Sequence, residues 1–553
     1  MKQLLARIFS KPALALELVV ISFFVNILTL ASPFFFILVF NRYLTGGVDG
    51  TLITLVIGML MAVLLQFAFR AIRTRMAGGV GIQPEDPMIS SVFEVLGRSK
   101  LQALGQVDRS RIVQTTNSLQ TLQAAYSAPN VNSVLDMPYS FLFIGVIFLL
   151  NFQLGVVASL GAGLTFVSAW VSMYRSGKAQ SMLQDVSAGN QVLVNSAING
   201  PETLRVFGGM GHYAPRWFEQ LKNIISLRRY NAHNEDISQA RIMAIGLVSR
   251  TFLIGLGARQ VFLGELSIGA LIGISILASI PMTILARFVR TSALLKRTAQ
   301  AENILRQFMM LPREKISGSA LKAYAGNLDF KDLSFVYSGS KNPLFEGLNM
   351  HVASGGMVGI TGYNGSGKST LAKLIAGLLE PTRGQILVDG LELSQVSMEW
   401  WRKQIIYLPQ EPGFFPAGIR ENIVVANPGL DNEGLNRVLA MTGLRKFVDS
   451  HPQGLELELD ESGKPLPLGI RRRLALARAL ATGGQLVILD EPAEGLDVEG
   501  WKMVNRTIKV LREQKKTVMI FTSDPRLMMD VGIIIDLGSK PVPSVVVGES
   551  ASK

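Results

Sequence analysis

Eight consecutive residues, Gly362, Tyr363, Asn364, Gly365, Ser366, Gly367, Lys368 and Ser369, fit the spacing G-x-x-x-x-G-K-[ST], and Thr370 follows them. The glycines let the backbone turn tightly, so that successive N–H groups and the lysine ammonium can cradle nucleotide phosphates. A second element follows downstream, where Leu486, Val487, Ile488 and Leu489 lead into Asp490 and Glu491. Four apolar residues read as a buried strand. Its end would present Asp490 to a magnesium ion also held by the Ser369 hydroxyl, and would place Glu491 to polarise an attacking water. These residues need a strand feeding the loop and a helix leaving it. The sequence predicts both, a short strand over 357–361 and a helix over 371–379.

The elements in front are of another kind. Of 553 residues only 17% are charged and mean hydropathy is positive, against roughly 25% charged in a typical soluble protein. The first half carries long neutral runs, whereas the sequence after about residue 325 has ordinary globular composition. A helix needs about 20 apolar residues to cross the hydrocarbon. Six spans are predicted, over 18–41, 51–70, 137–152, 154–174, 242–262 and 266–286, contacting membrane lipid. The stretch 137–174 is uncharged and too long for one span, so it should fold back near Asn151, Phe152 and Gln153. The first apolar run is longer than a signal-peptide core and reads as a retained span.

Orientation follows from the basic residues of the connections. The short connections hold only Arg42, whereas the long ones are rich in lysine and arginine, which puts them and both termini in the cytoplasm. They should continue the spans as helices beyond the bilayer, with an interruption in the glycine- and proline-rich stretch 78–87. The net charge of +13 is explained by these flanks, and nucleic acid is not an expected partner. Cysteine is absent, which excludes disulfides, zinc–thiolate sites and thiol catalysis. Arg250 falls inside the fifth span, either lining a path or snorkelling and hydrogen-bonding between helices. Pro33 and Pro281 read as packing kinks and Asn26 as helix–helix glue. The domains predicted are a membrane domain over 1–310, a linker over 311–326 and a nucleotide-binding domain over 327–545, opening on strand-like sequence at 328–337.

This combination resembles an ATP-binding cassette exporter half-transporter. The resemblance implies a six-helix, all-α membrane domain of exporter type, joined to an α/β P-loop NTPase domain that binds ATP and magnesium. Tyr337 matches the aromatic residue that stacks on adenine, and Gln410 matches the glutamine that senses magnesium and the membrane domain. Gly495, Leu496 and Asp497 match a loop exchanged between two cassettes. The sequences around Asp136 and Pro138, at 31–34, and at 269–272 are similar to type I secretion transporters. That likeness implies a multi-pass protein of the bacterial inner membrane, with its nucleotide-binding domain in the cytoplasm. It implies a periplasmic adaptor, an outer-membrane channel and a secreted protein as partners. No cysteine-peptidase-like domain is expected in front, so leader cleavage is not. A lipid or small-molecule exporter, or an ATP-binding regulatory subunit with little hydrolysis, are the other readings.

Two departures from the family pattern stand out. Where relatives carry Leu-Ser-Gly-Gly-Gln, this chain has Leu466, Pro467, Leu468, Gly469 and Ile470. In a dimer that serine and the glycine amides bind the γ-phosphate held by the opposite subunit. Pro467 removes a hydroxyl and a backbone N–H, and only Gly469 remains of the glycine pair. Ser523 stands where the family places a histidine bridging the γ-phosphate and the catalytic glutamate. The expectation is firm ATP binding with slow intrinsic turnover: in a homodimer each site lacks both elements, and beside an intact second half-transporter one site lacks the histidine and the other the signature serine. The other reading is that different groups of this chain supply those contacts.

Overall fold

The computed structural model describes residues 2–10, 12–82, 85–107, 109–315, 318–340, 342–460, 463 and 465–547. The chain divides into two compact units, Met1–Gly97 with Gln106–Leu311, and Arg98–Gly105 with Pro312–Lys553.

The first unit is helical. Among the described residues six helices are long and apolar enough to cross a membrane: Pro12–Gly46, Asp49–Gly79, Ala128–Leu150, Phe152–Ile198, Met210–Phe262 and Ile268–Met309. Two of them run far past a bilayer. Phe152–Asn199 has 48 residues and Met210–Phe262 has 53. At 1.5 Å per residue they are about 70 and 80 Å long, against a hydrocarbon core of about 30 Å. The uncharged run reverses at Asn151, whose extended backbone breaks the helix and whose side chain accepts from Leu154 N at 3.1 Å to cap the next one. The first and last spans break at Leu30 and Ala278, three residues before Pro33 and Pro281. A proline ring leaves the carbonyl four residues back without its helical donor, so Thr29 and Leu277 end their helices. In the glycine- and proline-rich stretch 78–87 one helix ends and another begins, and the glycines themselves are not the break. Gly78, Gly79 and Gly81 stay inside the helix Asp49–Ile82, and the next helix starts at Glu85. Gln83 and Pro84 lie outside the described residues. Glycine weakens a helix by about 1 kcal/mol without ending it.

Charge inside this unit is paired. Arg73 Nη1 lies 2.6 Å from Asp136 Oδ1, and Asn26 Nδ2 donates to the same oxygen at 2.9 Å. The three residues tie the first three spans together, and a buried charge persists only with such partners. Arg250 is exposed on the surface of the single chain.

The second unit is built on two sheets. Strands β1 (Leu328–Phe335), β2 (Phe345–Val352), β4 (Arg383–Val388) and β5 (Leu391–Glu392) form an antiparallel sheet in the order β2-β1-β4-β5. Strands β3 (Met357–Thr361), β6 (Ile405–Leu408), β7 (Leu486–Asp490), β8 (Thr517–Phe521), β9 (Ile533–Asp536) and β10 (Ser544–Val547) form the other. Its order is β10-β9-β3-β8-β7-β6, parallel except for β10. Every residue of β7 and β8 is buried, because strands covered on both faces must be apolar throughout. Helix α1 (Lys368–Ile375), with β1 and Trp401, packs on one face, and α2 (Leu468–Ala481) with α3 (Val498–Glu513) packs on the other. Ile360 and Asp490 both pair with Phe521, so β3, β8 and β7 end level with one another. Open α/β sheets bind ligands at such carboxyl ends.

Residues 98–105 sit with this unit rather than with the membrane helices. Lys100 N donates to Pro312 O at 2.9 Å and Glu314 N to Arg98 O at 2.8 Å. Lys100 Nζ lies 2.7 Å from Glu380 Oε2, and Gln102 Nε2 donates to Ser338 Oγ at 3.0 Å. The contacts are polar, and no hydrophobic periodicity announces them.

Candidate nucleotide site at the strand ends

β3 delivers the chain to Gly362, and α1 takes over at Lys368. The turn between them uses left-handed backbone at Gly362, Gly365 and Gly367, with φ of 141°, 84° and 114°. A Cβ at Gly362 would come within 2.5 Å of Ser366 Oγ and 3.1 Å of Gly538 N, so the loop closes only on glycine. Helix α1 starts three residues earlier than the sequence predicts and stops at Ile375. The loop runs straight into the helix, so the first free N–H groups and the positive helix end belong to the phosphate loop itself. Tyr363, Asn364 and Gly365 form its exposed tip.

Lys368 is buried, and its Nζ donates to Gly362 O at 2.8 Å and to Ser523 Oγ at 3.0 Å. The same nitrogen lies 3.5 Å from Glu491 Oε1. Ser369 Oγ donates to Gln410 Oε1 at 3.3 Å, and Gln410 Nε2 donates to Glu494 Oε2 at 3.3 Å. Tyr337 lies just past the end of β1. Its hydroxyl shares a 2.8 Å hydrogen bond with Thr370 Oγ1, and the residue is 43% exposed.

Asp490 closes β7 at 2% exposure, and its Oδ1 has no hydrogen-bond partner among the described residues. Burial pushes this carboxyl up from the ordinary carboxylate range. The Ser369 hydroxyl pulls it back, Glu491 raises it, and Lys373 and Lys368 lower it. Glu491 follows in left-handed backbone, φ 47°, a strained state for a non-glycine residue. It is held there from both ends. Its N–H donates to Phe521 O at 2.7 Å, its carbonyl accepts from Arg472 Nη1 at 2.7 Å, and its Oε2 accepts from Thr522 Oγ1 at 2.9 Å.

The strand ends thus gather Gly362–Thr370, Gln410, Asp490, Glu491 and Ser523. Gly469 is not joined to them by any hydrogen bond among the described residues. It lies in the first turn of α2, where a Cβ would meet only Leu496 Cδ2, at 3.9 Å. Pro467 caps α2 without a side-chain hydrogen bond, and Leu468 is exposed beside Gly495. Asp497 caps α3, accepting from Gly500 N at 2.7 Å. Sequence reasoning missed three members of the cluster. Arg472 is one of three adjacent arginines with nothing to single it out. Glu494, which accepts from Arg472 Nη2 at 3.0 Å, and Thr522 carry no motif signal, although both flank residues that do.

The donor set suits a magnesium ion. Among the described residues no group of three or more His, Cys, Asp or Glu could hold a metal on its own. One buried, unpartnered carboxylate oxygen with a hydroxyl and an amide oxygen is what magnesium takes when phosphates and water complete its octahedron.

Residues 345–494 match the family model described as ABC transporter, and residues 16–285 match that of the ABC transporter transmembrane region. The chain belongs to the ABC transporters. With one transmembrane region and one cassette it is an exporter half-transporter, and its activity is ATP hydrolysis coupled to transport. This ABC protein is 26% identical over 536 residues to the leukotoxin export ATP-binding protein LtxB of Aggregatibacter actinomycetemcomitans. It is 27% identical over 541 residues to the alpha-hemolysin translocation ATP-binding protein HlyB of Escherichia coli O157:H7. Each match takes in 95% of this chain and 75% of the relative. A bacterial Atm1-family ABC exporter solved with ATP bound shares the fold, with a TM-score of 0.79 over 95% of this chain and 94% of the other, at 18% identity.

Proposed function

We propose that this ABC exporter is the ATPase and membrane component of a type I secretion system. It would sit in the bacterial inner membrane with its cassette in the cytoplasm, and act as a dimer with a periplasmic adaptor and an outer-membrane channel. The observation that carries this reading is the likeness to toxin-export proteins along nearly the whole chain.

The site chemistry follows from its own residues. The loop N–H groups and Lys368 receive the phosphates, for which Lys368 exchanges its contacts to Gly362 O, Ser523 and Glu491. Tyr337, an exposed aromatic residue beside the loop, offers its ring to adenine. Ser369, Gln410 and Asp490 would hold magnesium, which when bound neutralises charge on the β- and γ-phosphates. Glu491 takes the proton of the attacking water, and Ser523 faces the γ-phosphate. Gly469 offers its amide to the nucleotide held by a second cassette. Losing one preorganised donor costs roughly 10²–10³ in rate. A homodimer lacks both the signature serine and the switch histidine at each site, so turnover by this chain alone is slow, and a second cassette subunit relieves it.

Secretion is tested by expressing the chain with adaptor and channel proteins and assaying the medium for exported protein. Export that disappears in Lys368→Ala supports the reading. Absence of export, with ATP-driven movement of lipid or a small molecule in proteoliposomes, refutes it. Transport unaffected by Glu491→Gln would make the chain a regulatory ATP-binding subunit.

A further inference from the structure

The catalytic cluster contains a buried hydroxyl to which no motif assigns a role. We infer that Thr522 is the positioning residue for Glu491, holding the carboxylate in place through its Oγ1, while Ser523 serves the phosphate loop and the phosphate it holds. The inference rests on the reading of Glu491 as the base that receives the proton of the attacking water.

The hydrogen bonding around Thr522 fixes the direction of its proton. A threonine hydroxyl has one proton to donate and lone pairs to accept. Asp524 N donates to Thr522 Oγ1 at 3.1 Å, which occupies the accepting side. The remaining proton points to Glu491 Oε2 at 2.9 Å, an oxygen that can only accept when ionised. The backbone leaves this hydroxyl little freedom. Thr522 N donates to Ile360 O at 3.0 Å, one step past the β3–β8 pairing, and Thr522 is 2% exposed. Asp524 is itself anchored, because its carboxylate accepts from Arg526 N at 3.0 Å and from Arg526 Nη2 at 2.6 Å. A run of hydrogen bonds therefore leads from Arg526 through Asp524 to Thr522 and ends on the glutamate.

Glu491 needs such a hold. Its backbone is left-handed, and its other carboxylate oxygen faces Lys368 at 3.5 Å. When Lys368 turns to phosphate, Thr522 is the contact that remains on the carboxylate among the described residues. Ser523 cannot replace it. Its Oγ accepts from Lys368 Nζ at 3.0 Å and donates to Gly362 O at 3.3 Å, so its one proton is already used on the loop.

The test uses the full-length protein in lipid nanodiscs, with ATP turnover and affinity for a fluorescent ATP analogue measured side by side. Thr522→Val keeps the shape and removes the hydroxyl. It should lower kcat by on the order of 10²-fold, the cost of a misaimed catalytic group, with KM and analogue affinity unchanged. Thr522→Ser should recover most of the loss, and Ser523→Ala should weaken nucleotide affinity without the same fall in kcat. Should Thr522→Val fail to fold, Thr522→Ala serves the same comparison. A hydroxyl-free variant with wild-type kcat, while Glu491→Gln abolishes turnover, overturns the positioning role alone. A Thr522→Ser as slow as Thr522→Val overturns it too, by showing that packing and not the hydroxyl matters. Wild-type turnover in Glu491→Gln removes the base assignment and the inference with it.

Discussion

Asp490 is held in a state that costs the nucleotide-free protein stability, and neutralising it should make that protein more stable while ending its response to magnesium. The side chain is 2% exposed, one oxygen lacks any partner among the described residues, and burial raises its carboxyl above the ordinary range. A raised carboxyl means that the folded state disfavours the ionised form. The penalty is absent below the unfolded-state value, near 4, grows as pH rises through the folded-state value, and is complete above it. A buried unsatisfied group costs about 1–3 kcal/mol. An asparagine would still leave an atom without a partner, so a gain of about 1–2 kcal/mol is expected for Asp490→Asn at neutral pH. For a unit of this size each kcal/mol moves Tm by about 2–4 °C, which gives about 2–8 °C. Differential scanning fluorimetry of the full chain in EDTA would read it. The gap to wild type should close as pH falls toward the ordinary carboxylate range. Adding magnesium and ATP should reverse the order, because a ligand at 100 times its Kd stabilises by about 2.7 kcal/mol and the variant has lost the anionic oxygen. A lower Tm for Asp490→Asn in EDTA at neutral pH would refute the reasoning, since the carboxylate would then be satisfied in the folded state.

Restoring the signature with Pro467→Ser and Leu468→Gly should raise turnover of the purified chain by about 10- to 100-fold, within the range of one recovered oxyanion-type donor; an unchanged rate would mean that other groups already fill that place. Arg73→Met leaves Asp136 buried without its guanidinium and should cost about 3–5 kcal/mol in thermal unfolding, most of it recovered in the double variant Arg73→Met/Asp136→Leu. Lys100→Ala should weaken the docking of residues 98–105, seen as faster hydrogen exchange there and at Glu380 with ATP affinity unchanged.

Local pattern made much of this molecule readable. Membrane spans announce themselves because backbone in hydrocarbon must bond to itself, which demands long apolar helices. The phosphate loop does so because its glycines are dictated by backbone geometry over a few residues, and Leu486–Asp490 because a strand buried on both faces must be apolar. Helix ends were less legible. The helix after the loop begins at Lys368 and not at residue 371, since the loop's last turn is already helical and composition does not mark that. Within the stretch 78–87 expected to interrupt a helix, the glycines stay helical and the helix bounds fall later, at Ile82 and Glu85, because a long apolar helix tolerates a weak turn.

What the linear order of residues decides here is the kind of machine: spans, a phosphate loop, and an acidic strand end are each local, and their chemistry follows from residue type and spacing. The tertiary fold alone decides who meets whom. Thr522 reaches Glu491 because β7 and β8 are neighbours ending at the same level. Arg472 grips the Glu491 carbonyl because α2 crosses the sheet there. Residues 98–105 join the cassette through polar contacts to residues more than two hundred positions away. Hydrogen bonds between distant segments depend on register and distance, and neither leaves a trace in local periodicity.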